Sequence, residues 1–138
     1  MDQHQIDLVQ RSFAQVAPIA DVAATIFYDD LFERDPSLRP LFAADLTAQR
    51  KKLMTMLGTV VGGLRNWTRT AVVVRDLGAR HARYGVSEEH FATVGAALLA
   101  TLEKGLGDDF TPEVREAWTQ CYVLVADQMR AGLLSAAA

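Results

Sequence analysis

The sequence predicts an all-α protein, and three observations support this fold class. Apolar residues recur three and four positions apart through most of the chain, which is the period of a half-buried helix. Proline, glycine and capping residues such as serine and aspartate stand where these apolar patterns stop. No stretch alternates with period two over a useful length, and the run Val72-Val73-Val74 is too short to outweigh its helical flanks. The 138 residues suffice for one domain, residues 1–138, with a sizeable core.

These signals divide the chain into about six long helices and one or two short turns. We expect the elements at residues 3–17, 18–34, 35–40, 47–65, 70–83, 88–105 and 111–132. Residues 66–68 are expected to form a loop, and residues 133–138 a tail without predicted structure.

The first two helices are separated by Pro18, which ends one helix and can begin the next. Tyr28 lies in the middle of the second helix, where a core aromatic with its hydroxyl on a carbonyl is one interpretation. Asp35-Pro36 caps and starts a short helical turn, which Pro40 ends. The apolar pair Leu41-Phe42 then stands in a non-helical corner, where it is expected to fill the core or the floor of a pocket.

The third long helix begins after Asp45 or Thr47, either of which can cap it. Its apolar stripe includes Leu53 and Met56, but begins with a polar residue, Gln49. This glutamine could lie at the solvent rim or point into a pocket and donate a hydrogen bond there. The basic triplet 50–52 on the same helix is expected to face solvent.

The fourth helix carries a histidine on an apolar face. Val74, Leu77 and His81 fall at i, i+3 and i+7, so they share one side of the helix, which Gly85 ends. A buried imidazole needs a partner. Either it bonds to a neighbouring carbonyl or hydroxyl as a core residue, or it holds a metal in a slot of the core.

Two further helices complete the chain. Ser87 is expected to cap the fifth, with acidic residues in its first turn and Phe91 and Val94 on its apolar stripe. His90 is expected at the surface. The last helix starts at Thr111-Pro112.

Composition excludes several classes of function. The net charge of −3 gives no reason to expect a nucleic-acid partner. Cys121 is the single cysteine, so no internal disulfide can form, which favours a reducing compartment. No secretory signal and no apolar run long enough to span a bilayer is present, so we expect a cytoplasmic protein without a membrane partner.

The familiar enzyme motifs are missing from the sequence. It has no Gly-rich phosphate loop, no G-x-S-x-G and no CxxC, and no further metal ligands stand at suitable spacing from His81. A cofactor that needs only one protein ligand is therefore the remaining metal hypothesis, and haem iron can be held by one histidine.

Five segments follow one another in a recognisable order. They are Phe27-Tyr28-x-x-Leu31-Phe32, Asp35-Pro36-x-Leu38-Arg39-Pro40-Leu41-Phe42, Gln49-x-Lys51-x-Leu53, His81-x-x-x-Gly85-Val86 and His90-Phe91-x-x-Val94-Gly95-x-x-Leu98-Leu99. In these segments and their order, the whole chain resembles the single-domain bacterial haemoglobins and the globin domain of flavohaemoglobins. The resemblance implies a globin fold with haem b as the cofactor.

The resemblance also implies roles for individual residues. His81 matches the proximal iron ligand, whose outer ring nitrogen would bond to the Leu77 carbonyl. Tyr28 and Gln49 match the distal pair, whose hydroxyl and amide can both donate to dioxygen. Further residues expected against the haem are Phe42, Lys52, Leu53, Met56, Val86, Phe91 and Val94. Lys52 is placed to meet a haem propionate, although a solvated lysine remains an alternative.

The chain departs from the flavohaemoglobin pattern on the proximal side. Those proteins usually place a tyrosine where Phe91 stands and a glutamate near the place of Leu133, and these groups make the proximal histidine more electron-donating. No reductase domain follows in this sequence. Both departures weaken the expectation of efficient nitric oxide dioxygenation or peroxidase-like chemistry.

The favoured function is reversible binding of dioxygen by ferrous haem, as a carrier or scavenger. One alternative is an enzyme that converts nitric oxide to nitrate with a separate reductase as partner. Another is a gas or redox sensor that acts through a partner protein. Nitric oxide and carbon monoxide are further expected ligands. The last alternative is a haem-free helical interaction module with His81 in its core.

Overall fold

A computed structural model describes residues 1–81 and 87–137. Within these ranges the chain forms six α-helices and no strand, so the predicted all-α class is confirmed. The helices are α1 (Gln3–Val16), α2 (Ala20–Arg34), α3 (Thr47–Gly62), α4 (Trp67–His81), α5 (Glu88–Leu106) and α6 (Pro112–Ala137). Short 3₁₀ turns lie at Ala17–Ile19, Pro36–Leu41, Leu64–Asn66 and Gly107–Asp109.

Capping residues begin several of these elements. The Asp35 carboxylate accepts a hydrogen bond from the Ser37 amide, which starts the 3₁₀ turn after α2, as predicted. Ser87 caps α5, as also predicted, and its own amide donates to Nδ1 of His90 at 3.0 Å. His90 was expected at the surface, but it is half-buried because its ring completes this cap.

Three boundaries differ from those predicted. Helix α3 ends at Gly62, and α4 already begins at Trp67, so the loop expected at residues 66–68 is helical from its second residue. The tail expected after Leu133 is part of α6, which continues to Ala137. Gly132 lies within this helix and does not end it. Among the described residues only Gly107 has the positive φ that is typical of a glycine after a helix end.

The core is built around a buried tryptophan. Trp118 on α6 is 1% exposed, and its indole N–H donates to the Ser12 hydroxyl at 2.8 Å. That hydroxyl in turn donates to the Leu8 carbonyl, so both polar groups are satisfied inside the core. These bonds fix α6 against α1, while α2 packs mainly on α5.

Helix α4 is held by α6, and it makes few contacts with α3. A Cβ on Gly78 would overlap the backbone of Met129, and a Cβ on Gly132 would overlap the Arg75 carbonyl and the Ala79 amide nitrogen. The two helices therefore cross with their backbones in contact, which only glycine permits. This crossing lies one turn before His81 and thus places the end of α4.

We predict that Gly132→Ala lowers the free energy of unfolding by about 1–3 kcal/mol, because the two backbones must separate to admit a methyl group. Gly62→Ala is the matched control, since nothing lies within 4 Å of a Cβ there. It should raise the free energy of unfolding by about 0.4–1 kcal/mol, because alanine reduces the conformational entropy of the unfolded chain. Urea unfolding followed by circular dichroism measures both. Equal effects of the two substitutions would contradict the close crossing.

Candidate functional site

The central feature of the candidate site is a hydrogen bond between Tyr28 and Gln49. Tyr28 lies on the buried face of α2 and is 4% exposed, while Gln49 is half-buried in the first turn of α3. The Gln49 amide Nε2 donates to the Tyr28 hydroxyl oxygen at 3.0 Å. Because the phenol oxygen accepts this bond, its own proton remains to be donated to another acceptor.

The electrostatics of Tyr28 keep its hydroxyl protonated. Burial raises the pKa of this phenol, and the hydrogen bond from Gln49 opposes the shift only in part. The hydroxyl is therefore a neutral hydrogen-bond donor at physiological pH.

The Tyr28 ring forms an aromatic cluster with Phe27, Phe32 and Phe42. The Phe42 ring lies edge-on to Tyr28 with the ring centroids 5.6 Å apart, and the Phe27 ring lies edge-on to it at 5.0 Å. Phe42 stands in the non-helical corner that the sequence predicted, and its side chain is half-buried. The structure thus brings Phe42, Tyr28 and Gln49 together.

Helix α3 adds apolar groups beyond Gln49. Leu53 and Met56 are half-buried and pack against the core. Leu53 also borders a cavity of about 20 Å³ that is lined with apolar side chains, including Phe27 and Trp118. Lys52 is exposed, which fits the solvated alternative and adds nothing to the propionate assignment.

On α4, the ring nitrogen Nδ1 of His81 lies 2.7 Å from the Leu77 carbonyl oxygen. This is the hydrogen bond that the sequence analysis expected one turn back. A carbonyl only accepts, so Nδ1 donates the proton of this bond. Such a bond orients a ligating histidine and raises its basicity.

Helix α5 carries two more of the expected residues. Phe91 is 5% exposed, and Val94 is half-buried against the core. The Phe91 carbonyl accepts a hydrogen bond of 2.5 Å from the Tyr122 hydroxyl of α6. Val86 lies outside the residues that the structure describes.

Sequence reasoning missed two arginines that touch aromatic residues of the site. The Arg130 guanidinium lies 4.8 Å from the centroid of the Phe91 ring, and its Nε is 2.7 Å from the Glu88 carboxylate, off the direction of a hydrogen bond. The Arg39 guanidinium lies 5.2 Å from the centroid of the Phe32 ring. The available signal for Arg39 was its place beside a corner whose carbonyls lack helical partners.

The donor set fits a haem group rather than a multi-ligand metal site. In residues 1–81 and 87–137, no three His, Cys, Asp or Glu side chains are grouped as a metal site requires. One oriented imidazole on α4, and one neutral hydroxyl with one amide on the α2–α3 side, match a cofactor that needs a single protein ligand. None of the helices in the described ranges is both long and apolar enough to cross a membrane.

Known proteins resemble this chain in sequence. It is 27% identical over 132 residues to a flavohemoprotein of Bacillus subtilis, covering 92% of this chain and 33% of the relative. It is 28% identical over 130 residues to a flavohemoprotein of Xylella fastidiosa, covering 92% of this chain and 32% of the relative. The chain thus spans about a third of the length of the curated relatives that it matches.

The fold also has a counterpart among solved structures. The flavohemoglobin from Malassezia yamatoensis, with bound FAD and heme, superposes with a TM-score of 0.81 at 20% identity, covering 98% of this chain and 37% of that one. This likeness establishes the fold. The family model named Globin matches residues 25–129, which is more than half of the chain. The chain therefore belongs to the globin family, whose cofactor is haem.

Proposed function

We propose that this globin binds dioxygen reversibly, as a carrier or scavenger, with haem held through His81. Haem supplies a ferrous iron that binds dioxygen reversibly. The observation that carries the proposal is the 3.0 Å hydrogen bond from Gln49 to Tyr28, because it leaves a buried, neutral phenol with its proton available. The relatives are flavohemoproteins and the solved neighbour contains heme, which supports the same cofactor here.

The distal residues act on the dioxygen ligand, which carries partial negative charge. The Tyr28 hydroxyl would donate a hydrogen bond to it, because its oxygen accepts from the Gln49 amide and its own proton remains available. A hydrogen bond of this kind typically contributes about 1 kcal/mol. Its effect is to slow release of the ligand.

The proximal and apolar residues hold the cofactor. The Leu77 carbonyl orients the His81 ring, which would bind the iron through its other ring nitrogen. Leu53, Met56 and Phe42, which are half-buried against the core, would cover the cofactor with apolar side chains and exclude water. Exclusion of water strengthens the Tyr28 hydrogen bond, because a low local dielectric makes its electrostatic attraction stronger than in water.

Nitric oxide dioxygenation with a separate reductase is the second candidate function. The same distal residues would serve it, and the longer relatives support a reductase as a possible partner. Phe91 brings no hydroxyl to the proximal side, and its ring lies beneath Arg130. This arrangement favours dioxygen binding over turnover. Nitric oxide consumption by the dioxygen-loaded protein, measured with and without a reductase, distinguishes the two functions.

We predict that His81→Ala abolishes normal haem ligation, because it removes the one oriented imidazole of α4. Absorption spectra of the oxidised, reduced and carbon monoxide-treated protein measure this. His4→Ala is the control, since His4 is exposed in the first turn of α1. A reduced spectrum of the His81 variant identical to that of the parent protein would exclude His81 as the ligand.

We predict that Tyr28→Phe speeds dioxygen dissociation by roughly fivefold, the equivalent of losing one hydrogen bond of about 1 kcal/mol. Gln49→Leu should have a smaller effect, because it acts largely through the phenol that it orients. Stopped-flow displacement of dioxygen by carbon monoxide measures both rates, and the double variant should match Tyr28→Phe. A larger effect from Gln49→Leu would reverse these roles.

The raised pKa of Tyr28 predicts a flat pH profile. Because burial places the pKa above its usual value of 10.0, the hydroxyl stays protonated, and the dissociation rate should not change between about pH 7 and 9. The measurement is the same displacement experiment in a series of buffers. A rise in rate within this range that Tyr28→Phe abolishes would mean that the phenol ionises at lower pH.

A further inference from the structure

We propose that Arg39 is the positioning residue of the distal side, and that it orients the Tyr28 phenol through Phe42 and Phe32. Arg39 contacts neither the Tyr28 hydroxyl nor Gln49 in the described hydrogen bonds, so it acts through the aromatic rings. The proposal deepens the proposed function and rests on it for its effect on dioxygen.

The edge of the Arg39 guanidinium holds the backbone of the corner segment, Phe42 to Ala44. Nη1 donates to the Ala43 carbonyl at 2.9 Å and to the Phe42 carbonyl at 3.4 Å, and Nη2 donates to the Ala44 carbonyl at 2.9 Å. The Phe42 amide donates back to the Arg39 carbonyl at 3.2 Å. Three consecutive carbonyls outside any helix are thus satisfied by one side chain.

The face of the same guanidinium packs on the aromatic cluster. Its central carbon lies 5.2 Å from the centroid of the Phe32 ring. Phe32 contacts Phe42 edge-on, with the centroids 5.4 Å apart and the planes at 65°. Arg39 therefore restrains Phe42 in two ways. It bonds to the Phe42 backbone, and it packs on Phe32, whose ring contacts that of Phe42.

The orientation of Tyr28 depends on these rings. The centroid of the Tyr28 ring lies 5.6 Å from that of Phe42 and 5.9 Å from that of Phe32. Arg39 therefore holds two of the rings that pack against Tyr28. The corner segment also leads into α3, where Gln49 donates to the phenol. A looser corner would move the rings and the start of α3 together.

Lysine cannot replace arginine in this arrangement. A lysine carries its three donors on one nitrogen, so it cannot reproduce the two-nitrogen planar fork that spans these carbonyls, nor can it stack a flat cation on Phe32. Arg39→Lys therefore keeps the charge and the aliphatic stem while removing both contacts. It serves as the milder variant if Arg39→Ala destabilises the fold.

The first test uses haem-free protein labelled with 3-fluorotyrosine. The chain has three tyrosines, and Tyr28→Phe assigns the ¹⁹F signal of Tyr28. Arg39→Lys and Arg39→Ala should shift and broaden that signal and leave the Tyr122 signal in place. Arg34→Ala is the matched control, because Arg34 pairs with Asp30 on the exposed side of α2. An unchanged Tyr28 signal in both Arg39 variants would overturn the proposal.

The second test uses the haem-loaded protein. Arg39→Lys should raise the dioxygen dissociation rate roughly two- to fivefold, which is at most the effect of losing one hydrogen bond. In a Tyr28→Phe background the same change should have no further effect, because Arg39 acts through the phenol. Full additivity of the two substitutions would overturn the proposal.

The two tests separate this inference from the proposed function. If Tyr28→Phe leaves the dissociation rate unchanged, the role of Tyr28 in dioxygen binding fails. The ¹⁹F experiment without haem still decides whether Arg39 orients the phenol. If Tyr28→Phe changes the rate and Arg39→Lys changes neither the rate nor the ¹⁹F signal, only the role of Arg39 fails.

Discussion

The backbone contact between α4 and α6 is the constraint on which the position of His81 in this globin depends. Gly78 and Gly132 let the two helices cross without intervening side chains, and Trp118 fixes α6 to α1 through Ser12. The end of α4 is thereby tied to the core through α6, while α4 makes few contacts with α3. The His81 ring is then oriented by the Leu77 carbonyl on its own helix. Histidine placement thus comes from one tertiary contact and one local hydrogen bond.

The region around Tyr28 and Gln49 is organised by different forces. Tyr28 is buried by α2 and surrounded by aromatic rings, and Gln49 reaches it from the first turn of α3. The corner between these helices has no regular secondary structure to hydrogen-bond its carbonyls. The Arg39 guanidinium donates to those carbonyls instead. Tyr28 and Gln49 are thus positioned by a polar clamp and an aromatic cluster, whereas the end of α4 is positioned by packed helix backbones.

Much of the fold was predictable because helical periodicity and capping are local properties. The errors fell where a specific contact overrides the general tendency of a residue type. Residues 133–138 were expected to form a tail, but α6 packs against α4 at Gly132 and continues to Ala137. His90 was placed at the surface, but a capping bond with Ser87 draws its ring inward. Arg39 carried no periodic signal, since its partners are carbonyls of a corner whose path was unknown.

Local amino-acid chemistry specified the helices, the aromatic corner at Phe42 and a histidine with a carbonyl one turn before it. Those features depend on residues fewer than five positions apart, and the spacing of a helix relates them directly. The pairing of Tyr28 with Gln49, the stacking of Arg39 on Phe32 and the cover of Arg130 over Phe91 came only from the tertiary structure. Each depends on how separate segments turn and pack, and periodicity within one segment contains no information about the direction of the next.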